Sequence, residues 1–234
     1  GDETRVVYVA ERYVPPTVKA WDKKELDSGA AMSQTRSAFE AKGNFGETMR
    51  DFSELSVYAA SMTDGRICEV VPASFSALHW LSNPTFVAAG PGASSASETV
   101  WFAATPYFPE RLGLAHCASR PNSLYEATVT FTVGEAQADP TPIPFPTGSV
   151  ATVRCLRSSP DGQTVACFVP APGCPAHSCC NALWRINVAS RSFESLVPIV
   201  ELPTPGVCAD DDAFPGLYSC TGADMWFVDS DTIL

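Results

Sequence analysis

Positive charge is scarce in this chain. Against 26 Asp and Glu it sets only 15 Lys and Arg, for a net charge of -11. Binding to a phosphate backbone runs on Lys and Arg displacing counterions, so nucleic acid is excluded as an expected partner. No apolar run approaches the roughly 18 residues needed to cross a bilayer, so no membrane partner is expected either. The opening stretch "GDETRVVYVAERY" lacks the basic and apolar regions of a secretory leader, and the chain reads as soluble and cytoplasmic. Long helices are excluded by punctuation, because 20 prolines and 15 glycines interrupt the chain every few residues. Histidine is rare, with three copies. The G-x-S-x-G elbow that presents a nucleophilic serine is absent; the nearest approach, residues 90–98, lacks the second glycine and has no helix after it.

Cysteine is plentiful, but its nine copies do not read as a disulfide framework. The number is odd and the spacings form no compact module. Free thiols are expected, with Cys155 and Cys167 lying in apolar strand patterns where a buried thiol acts as a small hydrophobe.

What fills the chain is strand. Runs rich in Val, Phe, Trp, Tyr and Thr, bounded by Gly, Pro, Asn, Asp or Ser, occur at 4–11, 54–61, 66–72, 77–81, 85–90, 99–105, 123–133, 151–156, 164–170, 182–188 and 192–198. The only passable helix, near 33–45, is short and polar and reads as an inserted loop. The unit 157–170, an apolar strand launched from a Ser-Pro-Asp-Gly turn, is repeated at 80–92 and begun again at 226–234. This places Ser82, Ser159 and Asp229 at equivalent turn positions, 77 and 70 residues apart. Hairpins follow across "TDG" and "ASRS". Tandem hairpins, each opened by a polar turn, indicate four-stranded propeller blades with inserted loops. The expected fold is all-β, roughly half of a β-propeller. Its divisions are an incomplete blade over 1–75, a blade over 76–133, another over 150–200, and the start of a further blade over 214–234. A propeller closes with about four to eight blades, so the segment alone is expected to aggregate or partly unfold.

Several residue groups bear on chemistry. His79, His116 and His177 have no serine elbow beside them and read as structural. Cys174, His177, Cys179 and Cys180 have zinc-compatible side chains but crowd seven residues, whereas structural zinc sites use separated pairs; no metal or cofactor is expected. Asp210, Asp211 and Asp212 lack the spacing of a calcium loop and read as a solvated acidic segment. Trp80, Trp101, Trp184 and Trp226 recur at strand positions and read as packing between blades. Arg111 and Arg120 are the candidates for gripping a peptide carboxylate, against the alternative that they pin their loop.

The segment "PERLGLAHCASRPNSLYEATV" (109–129), with "VVYVAERYVPP" (6–16) and "FPGLYSCTGADMWFVDSDTIL" (214–234), resembles the propeller domain of the acylaminoacyl-peptidase family, serine hydrolases of the prolyl oligopeptidase group. The match runs in order along nearly the whole chain and is poorer over 17–50 and 171–180. The resemblance implies a downstream α/β-hydrolase domain with a Ser-Asp-His triad, short N-acylated peptides as substrates, and a propeller that restricts their access. Self-association into a homo-oligomer is left open. A non-catalytic propeller used as a protein-interaction platform is the competing expectation.

Overall fold

A computed structural model describes residues 4–12, 54–89, 97–107, 120–131, 137–146, 152–170, 179–200, 216–219 and 225–234. The described chain is almost entirely β, in three antiparallel sheets. The first holds β1 (Arg5–Glu11), β2 (Leu55–Ser61) and β3 (Ile67–Glu69). The second holds β4 (His79–Val87), β5 (Ser97–Pro106), β6 (Ser123–Thr130) and β7 (Thr141–Ile143). The third holds β8 (Arg154–Ser158), β9 (Thr164–Pro170), β10 (Cys179–Asn187) and β11 (Phe193–Val197), and β12 (Leu217–Ser219) also pairs with β10. Each sheet meanders in sequence order, and one helical turn, α1 (Ala73–Ser76), leads into the second. These are successive blades of a partial β-propeller.

The unbroken apolar run of β5 has a direct cause: the strand is covered on both faces. Val100, Phe102 and Ala104 join Val57, Ala59, Leu81 and Val129 in a core between the first two sheets. One residue out of phase, Trp101 joins Leu124, Leu156, Val165, Cys167 and Ile186 in a core between the second and third. Trp101 and Phe102 are both fully buried, each contributing about 1.5–3 kcal/mol of transfer free energy.

Tight turns gather at one end of this stack. The Ala88 N–H donates to the Gly162 carbonyl at 2.8 Å, bringing the end of β4 against the turn between β8 and β9. Arg5, first in β1, lies 3.6 Å from Glu98 at the start of β5, and its guanidinium sits 4.6 Å from the centre of the Phe131 ring. β1 therefore runs in the direction of β5, so the long β1–β2, β5–β6 and β9–β10 connections all leave from the opposite end of the stack.

Three details depart from the sequence expectation. Ser82, expected in a turn between two strands, lies inside the single strand β4. Between Ser82 and Thr85 the pairing slips by one residue, and Asn83 has a φ of 51°. A bulge absorbs the extra residue, tolerates Pro84 without an N–H, and suits an Asn in the left-handed region. β8 has the same slip, with Cys155 at a φ of 50°. Superposing the two bulges puts Val87 where Ser159 stands, five residues beyond Ser82. In the terminal hairpin the Val228 N–H reaches the Thr232 carbonyl four residues on, whereas the Ser159 N–H reaches the Thr164 carbonyl five residues on, so the two turns differ in length by one residue. Second, β12 pairs Leu217–Ser219 onto Cys179–Asn181, so these residues extend the third sheet rather than opening the next blade. Third, Trp226 is 55% exposed, because no described sheet packs on the outer side of the 226–234 hairpin. The 33–45 segment lies outside the described residues.

Candidate functional site

At the loop end, the approach to β6 is tied to the start of β8. The Thr152 hydroxyl donates to the Arg120 carbonyl at 3.3 Å. The Asn122 side chain donates to the Val153 carbonyl at 3.0 Å and accepts from the Val153 N–H at 2.7 Å. Asn122 is buried, so its amide satisfies both polar groups of one peptide position that water does not reach. The backbone of Arg120 is thereby fixed beside the start of β8, where Arg154 is also buried. Arg111, His116, Cys174, His177 and Asp210, Asp211 and Asp212 lie outside the described residues.

At the opposite end, a cleft of about 520 Å³ opens between the tips of the inner strands, lined by Phe86, Ala88, Arg157, Asp161, Trp226 and Phe227 among others. Its polar groups are spent locally. The Ser159 hydroxyl donates to Asp161 at 2.6 Å and the Gln163 N–H does so at 3.0 Å. These bonds, helped by Ser230 of the next turn, hold the Asp161 carboxyl below its usual range. In the neighbouring turn Asp229 is held low by the Asp231 N–H and by Thr232, and away from the cleft, in the β2–β3 turn, Asp64 is held low by the Ser61 hydroxyl and the Arg66 N–H. Arg157 donates to the Leu156 carbonyl, and Thr85 and Ser158 bond each other at 2.8 Å. These polar groups are engaged within their turns or, as with Thr85 and Ser158, across to the adjacent blade, so they do not converge on a ligand, and the cleft is a joint between blades.

Nothing among the described residues forms a nucleophile–base pair. His79 stacks on Phe75 at 4.1 Å, and its Nδ1 lies 3.0 Å from the Phe75 carbonyl, which makes it a packing residue. No group of three His, Cys, Asp or Glu side chains that would hold a metal occurs among the described residues. Cys68, Cys155, Cys167 and Cys180 are reduced, outside any disulfide. Burial, reinforced by Cys155, pushes the Cys167 thiol up to about 12.

Sequence reasoning missed one polar cluster between blades. Trp101 Nε1 donates to Glu126 Oε2 at 2.8 Å, and Arg191 Nη2 donates to the same oxygen at 2.5 Å. The Arg191 guanidinium also lies 4.7 Å from the Trp101 ring centre. Arg191 sits in the "ASRS" hairpin turn with a φ of 56°, and that turn's composition gave no sign of a partner 65 residues away. Trp184 packs against the same core and lies 5.4 Å from Phe145.

Meandering antiparallel sheets of three to five strands, with packed cores between successive sheets, define a β-propeller segment. Over residues 1–234 the sequence matches the family model described as "Acylamino-acid-releasing enzyme, N-terminal domain". The chain belongs to that family. It is 24% identical over 259 residues to acylamino-acid-releasing enzyme 1 of Oryza sativa subsp. japonica, a match covering 100% of this chain and 32% of that protein. The chain thus spans about a third of the length of that relative.

Proposed function

We propose that this chain is the part of an acylamino-acid-releasing enzyme's propeller that controls which peptides reach a serine-hydrolase site carried elsewhere in the parent protein. The observation that carries the reading is the family match over the whole chain, combined with described blades that pack structurally and hold no nucleophile–base pair. In the parent, a Ser nucleophile with a His base and an orienting Asp transfers the acyl-aminoacyl group to water, assisted by an oxyanion hole. The propeller admits short N-acylated peptides and excludes folded protein, in the cytoplasm and without a cofactor. Arg120, held by its backbone beside the start of β8, and Arg111 near it in sequence grip the peptide's terminal carboxylate.

The test uses the intact parent protein. N-acetylated peptides of increasing length should lose kcat/KM steeply, and an N-acetylated folded protein should not be cleaved. Equal kcat/KM across lengths overturns the gating role. A serine-directed phosphonofluoridate should abolish activity, and full activity after such treatment overturns the serine mechanism. Arg120→Ala should raise KM about 10- to 150-fold for peptides ending in a free carboxylate and leave their amides unchanged, since one charge-assisted contact is worth roughly 1.5–3 kcal/mol. Equal effects on acids and amides remove Arg120 from substrate binding.

A further inference from the structure

Two cysteines stand opposite each other in the third sheet. β8 pairs Arg154 with Phe168 and Arg157 with Ala166, so Cys155 and Leu156 together oppose Cys167. Residues facing across an antiparallel ladder have Cα atoms about 4.5–5.5 Å apart, inside the roughly 4.4–6.8 Å that a disulfide spans. The two thiols also sense each other. Burial does most to push the Cys167 thiol up, and the nearby Cys155 thiol adds to it. Both cysteines are reduced.

Their surroundings differ. Cys167 is fully buried and shares a core with Leu156, Trp101 and Ile186. Cys155 is half-buried on β8, which ends the path of the third sheet among the described strands. A small reagent arriving from solvent therefore meets Cys155 first, and Cys167 meets only what Cys155 has become. The backbone does not account for a cysteine at this position. Cys155 has a φ of 50°, and the same place in the β4 bulge is filled by Asn83, a residue type suited to the left-handed region as cysteine is not. An outlier of this kind points to the chemistry of its side chain.

We propose that Cys155 and Cys167 are a reversible dithiol–disulfide pair oxidised by a hydroperoxide, with Cys155 as the thiol that meets the peroxide and Cys167 as the thiol that resolves it. With hydrogen peroxide, the Cys155 sulfur forms an S–O bond as the O–O bond breaks, and the departing oxygen leaves as water with the thiol proton. The Cys167 sulfur then displaces the oxygen of the sulfenic acid. The S–S bond forms, the S–O bond breaks, and a second water leaves with the Cys167 proton. Two thiols together lose two electrons and the peroxide gains two. Burial keeps Cys167 in the neutral form, which carries the proton that the leaving oxygen needs. A dithiol reductant reopens the bond by exchange. While closed, the bond holds the bulge of β8 in register on β9. The proposal stands apart from the catalytic role of the parent protein.

Peptide mapping of the intact parent protein tests it, after hydrogen peroxide at neutral pH, an acid quench and alkylation in denaturant. Cleavage after Arg157 and after Phe168 separates Cys155 from Cys167, and both from Cys174, Cys179 and Cys180. The two reduced peptides should disappear in step and return as one joined species, two hydrogens lighter than their sum, which dithiothreitol splits. Cys167→Ser should halt at the sulfenic acid, trapped on Cys155 by dimedone, and Cys155→Ser should leave Cys167 reduced. In the unsubstituted protein, advance of Cys155 to the sulfinic acid while Cys167 stays reduced overturns the proposal. So does either cysteine joined to a different one, a joined species that forms only after unfolding, or no oxidation of the pair at all.

Discussion

Gly162 offers a measurement of what holds adjacent blades together. It has a φ of 70°, and a β-carbon added there would stand 2.6 Å from the Ala88 nitrogen, closer than real contacts allow. Gly65 has the same φ of 70° and nothing within 4 Å of a β-carbon. Gly65→Ala therefore isolates the backbone cost, about 1–2 kcal/mol for an L-residue held in the left-handed region. Gly162→Ala carries that cost and also pushes Ala88 away, sacrificing the 2.8 Å bond from its N–H to the Gly162 carbonyl. Losing that bond adds about 0.5–1.5 kcal/mol, and spreading the cores behind it adds to the loss. At roughly 2–4 °C per kcal/mol for a domain of this size, Gly162→Ala should lower the melting midpoint of the intact parent protein by about 3–14 °C. Gly65→Ala should lower it by about 2–8 °C, with the gap between the two variants at least about 1 °C. Differential scanning calorimetry on both variants, made in parallel, reads the gap directly. Equal shifts would refute the argument, because they would mean that Ala88 yields without cost and that the turn-to-turn bond does not couple the sheets.

Asn122→Ala should cost about 2–4 kcal/mol, since it strands the buried N–H and C=O of Val153 together; urea unfolding of the intact parent checks this, and a loss under 1 kcal/mol would show that water replaces the side chain. Cys167 should stay unmodified by iodoacetamide at pH 8 in the native protein, because its thiol, raised to about 12, supplies almost no thiolate; mass spectrometry of native and denatured samples compares its labelling. The same shift fixes a sign with pH. The buried thiol remains neutral while an unfolded one ionises, so its contribution is fully present below about 9 and is lost as pH climbs toward 12. Cys167→Ser should weaken that alkaline loss, which urea midpoints at pH 8 and pH 10.5 would show.

The all-β class was legible because nearly every buried strand announces itself by composition. β5 is the clearest case, its apolar run reflecting two covered faces rather than one. Of the three-residue strands, β3 lies in a run read as strand, but two others were not legible. β7 and β12 have three residues each, too few for a period to emerge, and β7 contains Pro142, which reads as a breaker when no edge position is known. The bulges at Asn83 and Cys155 escaped for a different reason. A bulge is a property of two strands in register, and Ser-Asn-Pro has the composition of a turn until its partner strand is known. At the loop corner, Arg120 was legible as a candidate from its segment. Asn122, which holds that segment in place, was hidden in "PNS", where Asn reads as a turn former rather than as a buried double hydrogen-bonder.

The bond between Ala88 and Gly162 also bears on geometry at a larger scale. Two stacked sheets form a wedge, and the wedge angle decides how many sheets complete a circle. At the tight-turn end this angle is set where the backbone of one blade meets a residue with no side chain in the next, a separation that a single methyl group would widen. The spacing of these two blades is therefore written partly in an atom that Gly162 does not have.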